Sequence, residues 1–332
     1  MDVLTVPGGR YASILSPRDV PLPLPLDDMA RGRRVELEIG FGNGEYTVKY
    51  AKARPDVLLF GLEVSPACVM RCAERASREG AGEGLRLIRA DARVMMRELF
   101  RDEQLDKVFM NFPCPWPKAR HAARRVTARD FVDGLAAVLK IGGTFELVTD
   151  DAAYADEVRA SLGAWPTLSL EGDETGLARD VTTKYERKWL AEGKDIHRLT
   201  FVKTGPSTVE RRTWGARADG AERSEGYGLH IRMDRPASEE AVASLDGSSG
   251  GAGTAHWAFG QHWAAPMEGA FLLQTFSTDD EFEQRYYIRV SRKGEGGIVQ
   301  LDRTAGAFLT PAVRGALEDA ARRLSSIMEA GA

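Results

Sequence analysis

Three carboxylates, a cluster of glycines and a proline-bound cationic loop are the residues of this chain with chemistry to offer. The glycines are Gly40, Gly42 and Gly44, in the run Glu38-Ile39-Gly40-Phe41-Gly42-Asn43-Gly44-Glu45. Glycine permits a tight turn and lets a ligand approach the backbone closely at a helix N-terminus. Glu38 stands two residues before the first glycine. A carboxylate there opposes the pyrophosphate that a dinucleotide site places beside its helix. It suits a ligand carrying an ammonium or sulfonium charge, and S-adenosylmethionine carries both. Glu63 comes about 20 residues after the loop, where an acid accepts hydrogen bonds from ribose hydroxyls. Asp91, followed by Ala92, has two readings: a partner for an adenine amino group, or the N-cap of the next helix.

The second feature is the run Asn111-Phe112-Pro113-Cys114-Pro115-Trp116-Pro117-Lys118-Ala119-Arg120-His121, with Arg124, Arg125 and Arg129 close behind. Three prolines fix φ and remove donors, so neither a helix nor a central strand continues through it. A flat aromatic beside a dense positive cluster suits a polyanion whose bases need a stacking surface. Lys118, Arg124 and Arg125 are read as phosphate contacts. Trp116 has two readings, a stacking surface or a wedge packed under the loop. The alternative for the whole run is a proline-rich turn with a solvated charge cluster.

The elements that must position these groups alternate between strand and helix. Strand-like runs are Val35–Ile39, Val57–Val64, Leu85–Ala90, Leu105–Phe112 and Thr144–Thr149. Helix-period segments lie between and after them: Glu45–Ala53, Pro66–Arg78, Ala92–Phe100, Thr127–Lys140 and Ala152–Leu162. Ser65-Pro66 reads as an N-cap with proline at the first helical position. Gly142-Gly143 reads as a helix stop. This alternation predicts an α/β fold with a doubly wound, mostly parallel sheet, and it places Glu38, Glu63 and Asp91 at strand carboxyl ends, where ligands bind in such sheets. Thr167–Leu170 and Arg198–Lys203 are two closing strands. Residues 1–32, with the repeat Pro21-Leu22-Pro23-Leu24-Pro25, form an extended arm, either wrapped on a surface or mobile. Residues 33–205 form the α/β domain, and 206–332 a smaller α+β domain with no catalytic motif. There Gly228–Met233, His256–Phe259, Phe271–Phe276 and Tyr286–Val290 alternate as strands, 248–253 reads as a flexible loop, and Thr310-Pro311 opens a final helix. Its aromatics read as core, and Arg285, Arg289, Arg292 and Lys293 as an extension of an RNA footprint.

Composition narrows the classes. The net charge of −4 means that nucleic-acid binding rests on local patches. Three cysteines, Cys68, Cys72 and Cys114, with no CxxC, argue against a disulfide framework or a zinc centre. No apolar run approaches the roughly 20 residues that span a bilayer, and no leader is evident, so the expected compartment is the cytoplasm. Oligomeric state leaves no mark in the sequence.

In these motifs the chain resembles the bacterial tRNA (guanine-N7)-methyltransferases. The matching runs are 37–44, 60–64, 112–121, 124–126, 139–143, 149–150 and Thr182-Thr183-Lys184-Tyr185-Glu186, within residues 33–204. The resemblance implies a Rossmann-like methyltransferase sheet with S-adenosylmethionine held by Glu38, Glu63 and Asp91-Ala92, its methionine part over Gly40, Gly42 and Gly44. It implies contacts to guanosine or tRNA from Lys118, Asp150, Thr183, Lys184, Tyr185 and Glu186. The acceptor it implies is a guanine of the variable loop, usually numbered 46. The family usually carries Asp between the first two prolines of the loop, often labelled the active-site residue; here Cys114 stands there. Transfer to N7 removes no proton, so the change need not abolish activity, and Asp150 is the acid available to compensate. Two alternatives are a methyltransferase with another acceptor and an RNA-binding protein with weakened catalysis.

Overall fold

The computed structural model describes residues 11, 13–15, 22–115, 125–176, 182, 187, 189, 191–211, 229–265, 269–279, 282–302 and 307–330. The chain divides after Arg211 into two compact units, Met1–Arg211 and Arg212–Ala332.

The first unit is built on β1 (Arg34–Ile39), β2 (Val57–Glu63), β3 (Leu85–Arg89), β4 (Leu105–Asn111), β5 (Leu139–Thr149), β6 (Leu168–Thr175) and β7 (His197–Lys203). They lie in the order β3-β2-β1-β4-β5-β7-β6. The pairs β1–β2, β1–β4, β2–β3 and β4–β5 are parallel, and β7 runs antiparallel to both neighbours. The chain reverses direction across the sheet at β1 and β4, the switch point where α/β sheets bind ligands.

Local signals fix where each helix begins. Ser65 accepts from the Cys68 N–H, and Pro66 opens α3 (Pro66–Glu79), after the short α1 (Leu26–Ala30) and α2 (Glu45–Ala53). Asp91 caps α4 (Ala92–Leu99), and Asp151 caps α6 (Ala152–Gly163). Between them α5 runs Arg129–Val138. Tyr46, Tyr50 and Phe109 pack ring to ring under α2.

The glycine pair 142–143 does not stop a helix. α5 ends at Val138 and β5 begins at the next residue, with Leu139 paired to Leu105. The register then shifts before Lys107 pairs with Thr144. Gly142 takes φ +82°, and a Cβ on Gly143 would stand 3.0 Å from the Leu105 carbonyl oxygen. The glycines therefore serve a bulge inside the strand. The C-terminus of α5 is closed instead by Lys203 at the end of β7. Its fully buried ammonium donates to the carbonyls of Ala137 (3.4 Å) and Leu139 (2.8 Å). Burial lowers its pKa, and Glu103 opposes that shift.

Part of the N-terminal arm is packed. Leu15 and Leu24 are buried, and Ile14 bridges to Leu87 beside β3.

The second unit is an antiparallel sheet in the order β8-β13-β12-β11-β10-β9. Its strands are β8 (His230–Met233), β9 (Ser249–Ala252), β10 (Ala255–Ala265), β11 (Ala270–Asp279), β12 (Phe282–Lys293) and β13 (Gly296–Leu301). Two helices accompany it, α7 (Glu239–Ala243) and α8 (Pro311–Ala330). Val242, Val313, Leu317 and Leu324 from the helices share a core with Phe259, Leu273, Tyr286, Ile288, Val290 and Val299 from the strands. Residues 248–253, expected as a flexible loop, contain β9, which pairs with Ala255–Ala258. Its glycines lie under the neighbouring strand's rings: a Cβ on Gly250 would stand 2.6 Å from the Trp257 indole nitrogen. Trp257 donates from that nitrogen to Asp319 on α8 (3.0 Å), which also pairs with Arg323.

Candidate active site

The first strand delivers a buried carboxylate to the edge of the sheet. Glu38 is 1% exposed, and its Oε1 accepts from the Asn111 amide at 3.2 Å. Parallel register sets Ile39 of β1 beside Met110 of β4, so Asn111 reaches across from the neighbouring strand's end. The loop that follows turns through Gly40, Gly42 and Gly44 at φ +73°, +56° and +73°. These left-handed values favour glycine. A Cβ on Gly40 or Gly42 would meet nothing within 4 Å, whereas one on Gly44 would collide with the Cys72 side chain. Gly44 therefore closes α2 against α3, while Gly40 and Gly42 leave open backbone. Burial, with the Glu38 charge second, raises the Cys72 thiol pKa and holds it neutral.

Glu63 holds this loop in place. Its Oε2 accepts from the Gly42 N–H (3.0 Å) and its Oε1 from the Ser65 N–H (2.9 Å). A carboxylate has about four lone-pair sites, so both oxygens retain acceptor capacity for ribose. Asp91 accepts from the Arg93 N–H, and both of its oxygens meet the Arg93 guanidinium. Its capping role is thus realised. Ala92 is buried at the first position of α4.

Beyond β4 the backbone is strained. Phe112 sits at φ +53°, in the left-handed region that a bulky side chain occupies at a cost, while its N–H donates to the Val148 carbonyl at 2.7 Å. This fixes the direction in which Pro113, Cys114 and Pro115 leave the sheet. Cys114 is exposed. Asp150, at the end of β5, pairs with Lys194 at 3.2 Å, and the Lys194 ammonium lies 3.5 Å from the Trp189 ring centroid. Arg125, expected at phosphate, is turned to Glu157 (2.9 Å), which also accepts from the Thr127 hydroxyl. Its charge is used to fasten the end of the cationic loop to α6. Trp116, Lys118, Arg124, Thr183, Lys184, Tyr185 and Glu186 lie outside the described residues. Beside the last four, Arg187 donates to Glu45 at 2.5 Å and to the Thr182 carbonyl at 3.0 Å.

Sequence reasoning missed Asn111, Lys194 and the Arg187–Glu45 pair. Asn111 carried a usable signal, a polar residue closing an apolar strand beside the strand of Glu38. Lys194 and Arg187 carried none, since their partners lie 44 and 142 residues away.

The donor set fits S-adenosylmethionine. A buried carboxylate suits an ammonium, bare glycine backbone admits a close ligand, and a strand-end acid suits a diol. Among the described residues no group of His, Cys, Asp and Glu is arranged to hold a metal. None of the helices described there is long and apolar enough to cross a membrane.

A seven-stranded sheet with its last strand in sequence order inserted antiparallel, and a glycine loop and acids at the parallel ends, defines a Rossmann-like methyltransferase that uses S-adenosylmethionine. Residues 33–199 match the family model described as putative methyltransferase. A tRNA (guanine-N(7)-)-methyltransferase of Thermotoga maritima is 33% identical over 306 residues, covering 91% of this chain and 94% of that protein. One from Thermus thermophilus is 31% identical over 303 residues, covering 87% and 88%. One from Ruegeria is 36% identical over 183 residues, covering 54% and 71%. The chain belongs to the tRNA (guanine-N7)-methyltransferase family.

Proposed function

We propose that this protein transfers the methyl group of S-adenosylmethionine to N7 of a guanine in the variable loop of tRNA. The observation that carries this reading is the convergence of Glu38, the Glu63-held glycine loop and the Phe112–Pro115 turn on one end of β1 and β4. When bound, S-adenosylmethionine supplies an electrophilic methyl on a sulfonium. Guanine N7 already presents an in-plane lone pair, so the chain's residues need not remove a proton. Their work is to orient the reactants and exclude water, which supplies several kcal/mol when the approach is in line.

In this reading Glu38 orients the cofactor's ammonium, and Asn111 keeps Glu38 aimed. Glu63 holds the ribose, and Asp91, with Ala92, bounds the adenine. Gly40, Gly42 and Gly44 carry the methionine part. Asp150, steadied by Lys194, orients the guanine together with Thr183, Lys184, Tyr185 and Glu186. Arg187 ties that segment to Glu45 at the start of the helix behind the glycine loop. Lys118 and Arg124 meet tRNA phosphate, and Arg125 anchors their loop. Cys114, a poor donor and acceptor, lines the turn without replacing the acid usual there. The cytoplasm is the compartment that this substrate requires.

The test is incubation with S-adenosylmethionine and a tRNA transcript, followed by mass spectrometry of the nucleosides. N7-methylguanosine is expected with a variable-loop guanine and absent when that guanine is replaced. A different methylated nucleoside would move the protein to another acceptor.

A further inference from the structure

The second unit shows its other sheet face to solvent. Pairing assigns the residues: Trp263 stands opposite Leu272 and Phe276 opposite Arg285. Arg289 pairs with Leu272 on one side and Gln300 on the other, and Arg232 pairs with Ile298. All alternate with the core residues Phe259, Leu273, Tyr286, Ile288 and Val299, so they point away from α8. Trp263 is 44% exposed and Phe276 41%, high values for such large apolar rings. Tyr287 packs edge-on to Trp263 at 5.7 Å, and the Arg285 guanidinium lies 5.3 Å from the Phe276 ring centroid.

The charge on this face is asymmetric. Among the described strand residues that point to this face, Arg232, Arg285, Arg289 and Lys293 stand against Glu283, with the exposed acids Asp234 and Glu295 confined to its turns and Asp302, next to β13, buried. Single-strand binders combine such cations with aromatic planes because every base has a stacking face and every nucleotide a phosphate. An apolar protein partner would have no use for a guanidinium held over the central exposed ring.

We propose that the open face formed by β10, β11, β12, β13 and β8 binds unpaired nucleotides of the RNA substrate, by stacking on Trp263 and Phe276 and phosphate contacts from Arg285, Arg289 and Arg232. This rests on the RNA-methyltransferase reading but assigns a second surface, made wholly of the second unit. The face holds the RNA and takes no part in methyl transfer.

The experiment uses the full chain and the variants Phe276→Ser, Arg285→Gln and Trp263→Phe. Tryptophan emission is followed during titration with a short oligouridylate, and tRNA affinity is measured across a salt series. Base stacking quenches exposed indole, so quenching is expected in the wild type and largely lost in Trp263→Phe. The Phe276→Ser and Arg285→Gln variants should each bind tRNA roughly ten-fold more weakly, and Arg285→Gln should flatten the salt slope by nearly one unit. Their KM for tRNA should rise while kcat and S-adenosylmethionine affinity stay at the wild-type level. Wild-type tRNA affinity and slope in folded variants would overturn the inference, as would capture of a protein instead of RNA by this face. A wild type that binds oligouridylate but leaves tRNA unmethylated, with variants that lose oligouridylate binding, would sink the substrate reading and spare the face.

Discussion

The two sheets of this protein expose opposite parts of themselves. The first is parallel at its centre, with core residues such as Leu37, Leu59 and Phe109 buried, and its chemistry collects where the strands end. The second is antiparallel, with one face under helices and the other carrying Trp263, Phe276 and arginines into solvent. A parallel sheet gathers loops from several strands at one edge, which suits a small cofactor that needs many partners. An open antiparallel face offers a broad repeat of side chains, which suits an extended polymer. The contrast teaches that pocket and platform follow from strand direction.

The sharpest way to break the contrast is to remove the buried acid at the edge. Glu38→Gln keeps the shape and the Asn111 contact but loses the charge. S-adenosylmethionine affinity should fall about ten- to a hundred-fold, as expected for a hydrogen bond to a charged group. Calorimetry that finds unchanged affinity would detach the pocket from the strand ends.

Lys203→Met tests the other cost of the first sheet, a charge kept inside it. The carbonyls of Ala137 and Leu139 lose their donor, and stability should fall by about 1–3 kcal/mol. The denaturant midpoint reads this; no shift would show that the buried ammonium caps nothing.

A pair of tyrosines sharpens the comparison further. Tyr50 in the first unit donates to the buried Glu36 at 2.6 Å. In the second unit the buried Tyr286 hydroxyl faces only a neutral partner, the Ser277 hydroxyl. Tyr50→Phe should therefore cost about 1–3 kcal/mol, and Tyr286→Phe less, about 1 kcal/mol at most. Burial raises both pKa values, and Glu36 adds to the rise at Tyr50. The folded state then keeps protons that the unfolded state releases above about pH 10. The stability tied to each tyrosine is complete below that pH and is lost as pH rises above it. Each phenylalanine variant should flatten this alkaline decline, measured by denaturation between pH 9 and about 11.

The smallest effect is expected at Cys114→Asp, which restores the acid usual in the family. With no proton to remove, kcat/KM for tRNA should rise only a few-fold, the scale of one added neutral hydrogen bond. A rise of a thousand-fold would mean that the turn does more than orient.

Much of the first unit was legible because its signals are local. Ser65-Pro66 and Asp91 mark helix starts through caps that involve neighbouring residues. Glu38 and Glu63 were legible because strand ends could be placed. What escaped was encoded at a distance. The start of β5 was hidden because Leu139-Lys140-Ile141 continues a helical pattern, and only pairing with Leu105 makes it strand. β9 looked like a linker because its glycines answer to Trp257 and His256 on the next strand. The hold of Lys194 on Asp150 and the turn of Arg125 toward Glu157 depend on tertiary approach alone.

The place of β7 between β5 and β6 sets a condition on synthesis. The chain makes β6 before β7, yet β6 gains its neighbour, and α5 its Lys203, only when residues 197–203 arrive. On the ribosome β1 to β5 can assemble as they emerge, but the far edge of the sheet waits, with the β5 border unpaired. A nascent chain stalled before His197 would carry the glycine loop and all three strand-end acids, and still lack a closed sheet.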